Sequence, residues 1–451
     1  MINLPQEFES RMKNLLDEQY GDYLKALEQP AVKGFRVNTD KISLEDFEKI
    51  NPFGNEKIPY VENGFYLEAT KAGNHPYHHA GMIYIQEPGA MAPVECVDID
   101  PSWCVLDMCA APGGKSTQAK LKLGEKGILV SNEIISARCK ILTGNIERLG
   151  FKNTVTTCME PKKIAKTFPE TFDFIIVDAP CSGEGMFGKE EIAVSEWSEA
   201  NVTMCAERQQ SILSEAAKAL KLGGTILYAT CTFSLEENEM VVDTFLKEHP
   251  DFTLLPVKVA VKNATADGIK FDGCECENIT DCRRFYPHLS KGEGQFMAVL
   301  KNNGEATTRS PKSPQQKEKI EKLVFDFLDN CLSDYNKENV MMYNGNAVYF
   351  TPDFAVPKGT AFSCGVTIGE IRKNYIQPHH QFFMALGKYF LRKIELSAES
   401  DNLKKYLHGE EIEVTCENGW AVVTVDGCGV GGAKVVNGKA KNHYPKGLRM
   451  V

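Results

Sequence analysis

Phe172-Asp173-Phe174-Ile175-Ile176-Val177-Asp178-Ala179-Pro180-Cys181-Ser182-Gly183 joins an apolar run to an acid, a rigid turn and a thiol. Residues 172–177 are too apolar and β-branched for a half-exposed strand. They predict one buried on both faces, as strands of a parallel sheet are. Ligands bind beyond the carboxyl ends of such strands, so Asp178 and Cys181 are expected to face a site. Taken alone, the same residues also suit a small buried thiol and a capping carboxylate. The rest of the chain has to decide between these.

Outward from this run, apolar strands and helices alternate regularly from Trp103 onward. Strands are predicted at 104–108, 127–132, 154–158, 172–177, 225–230 and 252–257, with helices between them, for example at 136–149 and 203–220. That βαβ alternation specifies an α/β domain with a doubly wound, mostly parallel sheet, closed by an antiparallel edge strand at 296–300. Upstream, residues 1–30 show helical spacing of Phe8, Met12, Leu15, Leu16, Tyr23, Leu24 and Leu27, broken at Gly21 and ended by Pro30. A short strand follows at Gly34 to Thr39, and Pro88 suits a helix start. Residues 302–317, with two Ser-Pro pairs, have linker composition. Beyond it come a helix at 320–332, strands at 348–350 and 361–368, a helix at 381–393 and a small β-rich module from 411. The expected units are 1–95 (N-terminal α+β), 96–302 (catalytic), 303–317 (linker), 318–395 (intermediate α+β) and 396–451 (C-terminal β).

The chain has 451 residues, 43% hydrophobic and 25% charged, which is ordinary globular composition for two to four domains. It contains no run of about 18 apolar residues, and Glu7, Glu9, Arg11, Lys13, Asp17 and Glu18 occupy the place of a signal peptide. A soluble cytoplasmic protein is expected. Fifteen scattered cysteines read as reduced thiols rather than a disulfide framework. A net charge of -10 argues against non-specific nucleic-acid binding by the whole surface. From Gly427 onward, however, Lys434, Lys439, Lys441, Lys446 and Arg449 stand without an acid, as a solvated tail or a local basic surface.

The first strand of the alternating region ends in Asp107-Met108-Cys109-Ala110-Ala111-Pro112-Gly113-Gly114-Lys115-Ser116. Small residues let the backbone approach a ligand, and the helix N-terminus favours a carboxylate or phosphate there. The spacing is not that of the dinucleotide GxGxxG turn. Glu133 ends the second strand, where an acid accepts hydrogen bonds from ribose hydroxyls. Thr230-Cys231-Thr232-Phe233-Ser234 ends the fifth strand and precedes Glu236-Glu237-Asn238-Glu239, an expected acidic helix start. Strands four and five are neighbours in doubly wound sheets of the methyltransferase type, so Cys181 and Cys231 are expected to face one pocket. Two thiols and an acid beside a methyl donor suit methylation of cytosine at C5. That carbon is a poor nucleophile until a thiolate adds to C6, and a base must then remove the C5 proton and expel the thiolate. A helix N-terminus after Cys231 would stabilise its thiolate.

Asp107 to Ser116, Asp178 to Gly183 and Thr230 to Ser234 with Glu236 to Glu239 resemble the motifs of the RNA cytosine-5 methyltransferase family, whose cofactor is S-adenosylmethionine. The resemblance takes in Phe35 to Thr39, Gln86 to Pro88, Arg284 to His288 and Gly294 to Phe296, and so covers residues from about 30 to 300. The tail Lys441-Asn442-His443-Tyr444-Pro445-Lys446-Gly447-Leu448-Arg449 resembles the PUA-like RNA-binding end of the bacterial branch that modifies small-subunit ribosomal RNA. The resemblance implies a Rossmann-like fold, ribosomal RNA or the small ribosomal subunit as partner, no membrane and a monomeric enzyme. It implies that Cys109, Ala110, Ala111, Pro112, Gly113, Gly114 and Lys115 hold the methionine part of the cofactor and Glu133 its ribose, with Arg138 nearby. Where the family often has an Asp after the third strand to reach the adenine, this chain has Cys158-Met159-Glu160, and Glu160 is the nearest candidate. By the same resemblance Cys231 attacks, Cys181 assists release, Asp178 meets the target base beside the cofactor, and Lys115 also reaches the base. Flipping a stacked cytosine costs a few kcal/mol, so the outer domains are expected to grip the flanking RNA.

Three other functions compete. DNA cytosine methylation would put the attack on Cys181; methylation of a protein or small molecule would leave two strand-end thiols unexplained; an RNA-binding assembly factor would not need Cys231 and Asp178. No metal is expected: Cys274, Cys276 and Cys282 lack the two-residue spacing and the fourth ligand of a zinc site. His75, His78, His79, His379 and His380 are expected to be surface or structural, and Gly427 to Gly432 to form a turn.

Overall fold

A computed structural model describes residues 4–189, 191–305, 320–351 and 353–450. Its centre is a sheet in which Phe172–Asp178 pairs in parallel with Cys104–Asp107 on one side and Leu220–Thr230 on the other. Ile128–Asn132 and Thr154–Thr157 extend it in parallel past Cys104–Asp107. Consecutive residues of these strands are apolar because both faces are covered. Leu106, Val130, Ile175, Val177 and Ile226 enter one layer of core, and Val105, Leu129, Phe174, Ile176 and Leu227 enter the other. Chain order reverses between Cys104–Asp107 and Phe172–Asp178, the switch point beyond which such sheets bind ligands.

Gln295–Asn302 runs antiparallel beside Leu220–Thr230, and the sheet continues past it through Arg283–Phe285, with Phe252–Leu255 also paired to it. At the opposite end Ala361–Cys364 adds antiparallel to Thr154–Thr157. The single strand predicted at 361–368 is therefore divided: after Gly365 the chain enters Val366–Arg372, part of a separate four-stranded sheet. Most of the expected linker, residues 306–317, lies outside the described residues.

Two local expectations need correcting. The N-terminal break falls not at Gly21, which lies inside the Tyr20–Leu27 helix, but at the tight turn Asp17–Gln19. That turn lets Leu16, Tyr20 and Tyr23 pack in one cluster with Phe187, Trp197 and Phe233. The Gly-rich stretch 427–432 is not a turn beyond its first residue, because Cys428–Val436 is a strand of the five-stranded C-terminal sheet. Glycine is needed there because a Cβ on Gly432 would stand 2.2 Å from the Phe383 ring.

The two ends of the chain share one core, in which Phe35, Val37 and Phe47 pack with Tyr406, Val423 and Val430. Two of the expected histidines meet Tyr444 at this junction: His79 Nδ1 lies 2.9 Å from its hydroxyl, and the His380 ring packs edge-on against it. Burial pushes His78 down to about 3 and His79 down to about 4. No described helix is long and apolar enough to cross a membrane.

Beside the fifth strand, Arg284 and Glu239 form an ion pair 1% and 0% exposed. Arg284 Nε donates to Glu239 Oε1 at 2.7 Å, and its guanidinium also donates to the Phe233 carbonyl at 2.8 Å. Removing one partner strands the other charge in the core. Arg284→Met is expected to cost about 3–5 kcal/mol, with most of the loss recovered in Arg284→Met/Glu239→Leu, as read from urea unfolding midpoints.

Candidate active site

Three strand ends converge at the switch point. Cys104–Asp107 delivers Asp107, Phe172–Asp178 delivers Asp178 and the Cys181 loop, and Leu220–Thr230 delivers the Cys231 loop. Parallel pairing sets Asp178 opposite Ala229, so the two thiol loops start side by side. Cys181 Sγ and Cys231 Sγ are 3.1 Å apart, both residues are partly exposed, and the Cys231 N–H points to Cys181 Sγ at 3.3 Å. Lys115, near the start of the Gly114–Lys122 helix, pairs with Asp178 at 2.8 Å and is almost fully buried.

Buried carboxylates lock the two loops together reciprocally. Glu184, from the Cys181 loop, accepts from the Phe233 N–H at 3.0 Å and from Trp197 Nε1 at 2.9 Å. Glu237, from the Cys231 loop, accepts from the Ser182 N–H at 3.0 Å and from the Gln209 amide at 2.9 Å. Ser182 and Thr232 join their hydroxyls at 2.8 Å, and the Gly185 N–H donates to the Cys231 carbonyl at 2.9 Å. Asn238 closes the Cys231 side by accepting from the Thr230 hydroxyl at 2.6 Å and donating to the Thr232 carbonyl at 2.9 Å.

This network corrects the reading of Glu236 to Glu239 as an acidic helix start. The helix begins only at Glu239, and Glu237, Asn238 and Glu239 are turned fully inward. The helix N-terminus expected to stabilise the Cys231 thiolate is thus several residues away. The cation that acts at this place is Lys115. Burial works to lower its pKa, but pairing with Asp178, with Cys231 and Asp107 adding, outweighs that and holds it above the ordinary lysine value. The hydrogen bond shared with Cys231, reinforced by burial, pushes the Cys181 thiol well above its ordinary value.

A second cradle adjoins the thiols. Gly113 adopts φ +115°, a conformation that side chains disfavour, and Gly114 opens the helix behind it. Asp107 is buried; its Oδ2 accepts from the Ser116 hydroxyl at 2.6 Å, while Oδ1 has no partner among the described residues. Burial pushes Asp107 up to about 7. Cys109 lies at the same turn, its thiol raised by burial and by the carboxylates around it. Glu133 is buried at the end of Ile128–Asn132, accepts from the Ile135 N–H at 2.9 Å and pairs with Arg138 at 3.3 Å. Arg138 also donates to the Ala111 carbonyl at 2.8 Å, which ties the Glu133 corner to the Ala110-Ala111-Pro112 turn. Glu160 caps the Pro161–Thr167 helix, exposed and with no side-chain bond among the described residues.

Sequence reasoning passed over Glu184, Gln209 and the inward role of Glu237. Only the cluster of acids after Cys231 hinted at them. Arg36 is a further case: fully buried, it donates to the Gly114 carbonyl at 2.8 Å, to Thr117 Oγ1 at 2.9 Å and to Gln86 Oε1 at 3.0 Å, so the N-terminal sheet fixes the start of the Lys115 helix.

Burial raises Glu237 from 4.5 to about 7, so the folded protein holds a proton that the unfolded chain releases. This contribution makes stability fall as pH rises from about 4.5 to about 7 and level off above that. Glu237→Gln is expected to flatten that fall in urea midpoints between these pH values; an unchanged slope would show that Glu237 is not the group responsible.

The chain matches three family models: one described as 16S rRNA methyltransferase RsmB/F over residues 96–301, one as the N-terminal domain of 16S rRNA methyltransferase RsmF over 4–88, and one as the methyltransferase RsmF PUA domain over 393–450. It is 31% identical over 477 residues to ribosomal RNA small subunit methyltransferase F of Vibrio vulnificus, covering 99% of this chain and 98% of that one. The protein of the same name from Psychromonas ingrahamii is 31% identical over 482 residues, covering 99% and 97%. Among solved structures, a methyltransferase homolog from Pyrococcus horikoshii is 29% identical and superposes with a TM-score of 0.59 over 67% of this chain and 96% of its own. NSun6 from the same organism, solved with SFG, is 22% identical with a TM-score of 0.58, covers 67% and 100%, and shares the fold. By sequence identity over nearly its whole length, this chain belongs to the RsmB/F family of 16S rRNA methyltransferases.

Proposed function

We propose that the protein methylates C5 of a cytosine in 16S ribosomal RNA through a covalent adduct between Cys231 and C6. The observation that carries this reading is the pair of thiols 3.1 Å apart at adjacent strand ends, beside the Lys115–Asp178 ion pair. The cofactor is S-adenosylmethionine, which supplies an electrophilic methyl group. The residues present fit it. The left-handed Gly113 turn leaves the backbone open to a ligand, Asp107 Oδ1 offers a buried acceptor without a protein donor, and Glu133 presents a carboxylate at the neighbouring strand end. In this reading Cys109 to Lys115 hold the methionine part, Glu133 the ribose, and Glu160 the adenine edge, with Arg138 keeping Glu133 in place.

Cys231, which neighbours the Lys115 ammonium, adds as thiolate to C6 and pushes an electron pair toward C5. Asp178, steadied by Lys115, meets the pyrimidine edge and favours the adduct. After C5 has taken the methyl group, solvent water takes the C5 proton, the C5–H electron pair re-forms the ring double bond, and Cys231 leaves with the C–S electron pair. Cys181, in contact with the departing sulfur, assists that step. Residues 96–302 carry this chemistry, while 1–95 and 396–451, joined through their common core, hold the RNA flanking the flipped base.

Radiolabelled methyl transfer to ribosomal RNA, followed by denaturing gels, tests the assignment. Cys231→Ala is expected to lose at least about a thousandfold in transfer and to form no adduct. Cys181→Ala is expected to accumulate a denaturant-resistant protein–RNA adduct. Full turnover by Cys231→Ala would overturn the mechanism.

A further inference from the structure

Lys115 and Lys120 leave the same helix five residues apart, about 140° around its axis and about 7.5 Å along it. Lys115 faces the thiols. Lys120 instead enters a cleft of about 550 Å³ lined by residues of the N-terminal unit, helix and loop residues of the catalytic unit, the residues before the C-terminal unit, and Gly427 to Gly429. Its ammonium has 5% residue exposure and makes no hydrogen bond or ion pair with any described residue. Burying an ammonium without a bonded anion is costly, so the position makes physical sense when an anion completes it. Burial lowers the Lys120 pKa, with Asp40 opposing the shift and Lys152 adding to it.

Of the further lysines that line it, Lys152 and Lys388 share an aromatic and an acidic neighbour. Lys152 and Lys388 lie 5.9 and 5.0 Å from the centre of the Tyr389 ring, and with Lys120 they act on one carboxylate, Asp40. Glu125, Asp334 and Asp353 also line the cleft but form no ion pair with any of the three lysines. The cleft has room for more than a single small anion, and Tyr389 offers an aromatic face between its cations. On a chain of net charge -10, this is a local exception to the prevailing sign.

We propose that the cleft is a second RNA site, in which Lys120, Lys152 and Lys388 hold a backbone phosphate of the strand whose target base lies at the thiols. The proposal rests on the RNA reading above. It assigns the cleft a positioning role: a phosphate seated there touches segments from both ends of the chain and from the catalytic unit at once. A nucleic-acid strand passing around the Lys115 helix connects the two sites.

The test uses the full chain and 16S ribosomal RNA in filter binding across a potassium chloride series. Lys152→Gln/Lys388→Gln alters side chains that are not fully buried, so its urea midpoint is expected to stay that of wild type; Lys120→Gln is measured beside it. Both are expected to bind RNA about tenfold more weakly, with the salt slope reduced by about 0.7 for each phosphate of a single strand that is no longer neutralised. Amine acetylation read by mass spectrometry supplies a second arm. RNA is expected to protect Lys152 and Lys388, and inorganic pyrophosphate is not. Protection by pyrophosphate without protection by RNA would make this a site for free polyphosphate and overturn the proposal. Adduct formation by Cys181→Ala reports separately on the RNA reading. Normal adduct in Cys181→Ala with unchanged affinity and salt slope in both lysine variants removes the cleft site alone, whereas absence of adduct in Cys181→Ala together with absence of RNA binding by wild type removes both.

Discussion

Two buried carboxylates, each bonded to the backbone of the loop opposite its own, keep the thiols of this protein in contact. Glu184 reaches from the Cys181 loop to Phe233, and Glu237 reaches from the Cys231 loop to Ser182. Loops at strand ends ordinarily wander, and buried side-chain bonds to backbone donors restrain them. Because the two bonds run in opposite directions, displacing either loop breaks both. The constraint extends outward: Arg11 of the Gln6–Leu16 helix pairs with Glu236, and Tyr23 of the Tyr20–Leu27 helix packs edge-on against Phe233. The N-terminal helices therefore act as a lid over the brace.

The sheet supplies what the brace needs. Parallel neighbours bring Asp178 and Ala229 level, so the two loops leave the sheet at the same height. On the other side of the switch point, the Asp107 strand and the helix from Gly114 bring Lys115 back over Asp178. One cation thus interacts with both Asp178 and Cys231, while Arg36 from the N-terminal sheet pins the start of that helix. The same helix then carries Lys120 to the lysine cleft, which joins the chemistry to the surface that all parts of the chain build.

Much of this was legible in the sequence where a local pattern sufficed. The unbroken apolar runs at Val105-Leu106, Leu129-Val130 and Phe174 to Val177 could only be strands covered on both faces, and they fixed the fold class. Cys181, Cys231, Asp178, Lys115 and Glu133 stood out because each follows such a run. What could not be read were contacts whose partners are distant in the chain. Glu237 reads in sequence as part of an acidic helix start, whereas Gln209 and Ser182, distant in the chain, enclose it. Ala361 to Cys364 looked like part of one strand because periodicity does not reveal which sheet a strand joins. Gly427 to Gly432 looked like a turn because composition does not reveal the Phe383 ring packed against it.

The central claim is that Cys231, not Cys181, is the sulfur that bonds to the RNA. RNA carrying 5-fluorocytosine offers no C5 proton to lose, so the wild-type protein with S-adenosylmethionine should remain joined to it. Tandem mass spectrometry of the nucleotide-linked peptide is predicted to place the modification on Cys231. Finding it on Cys181 would contradict the account.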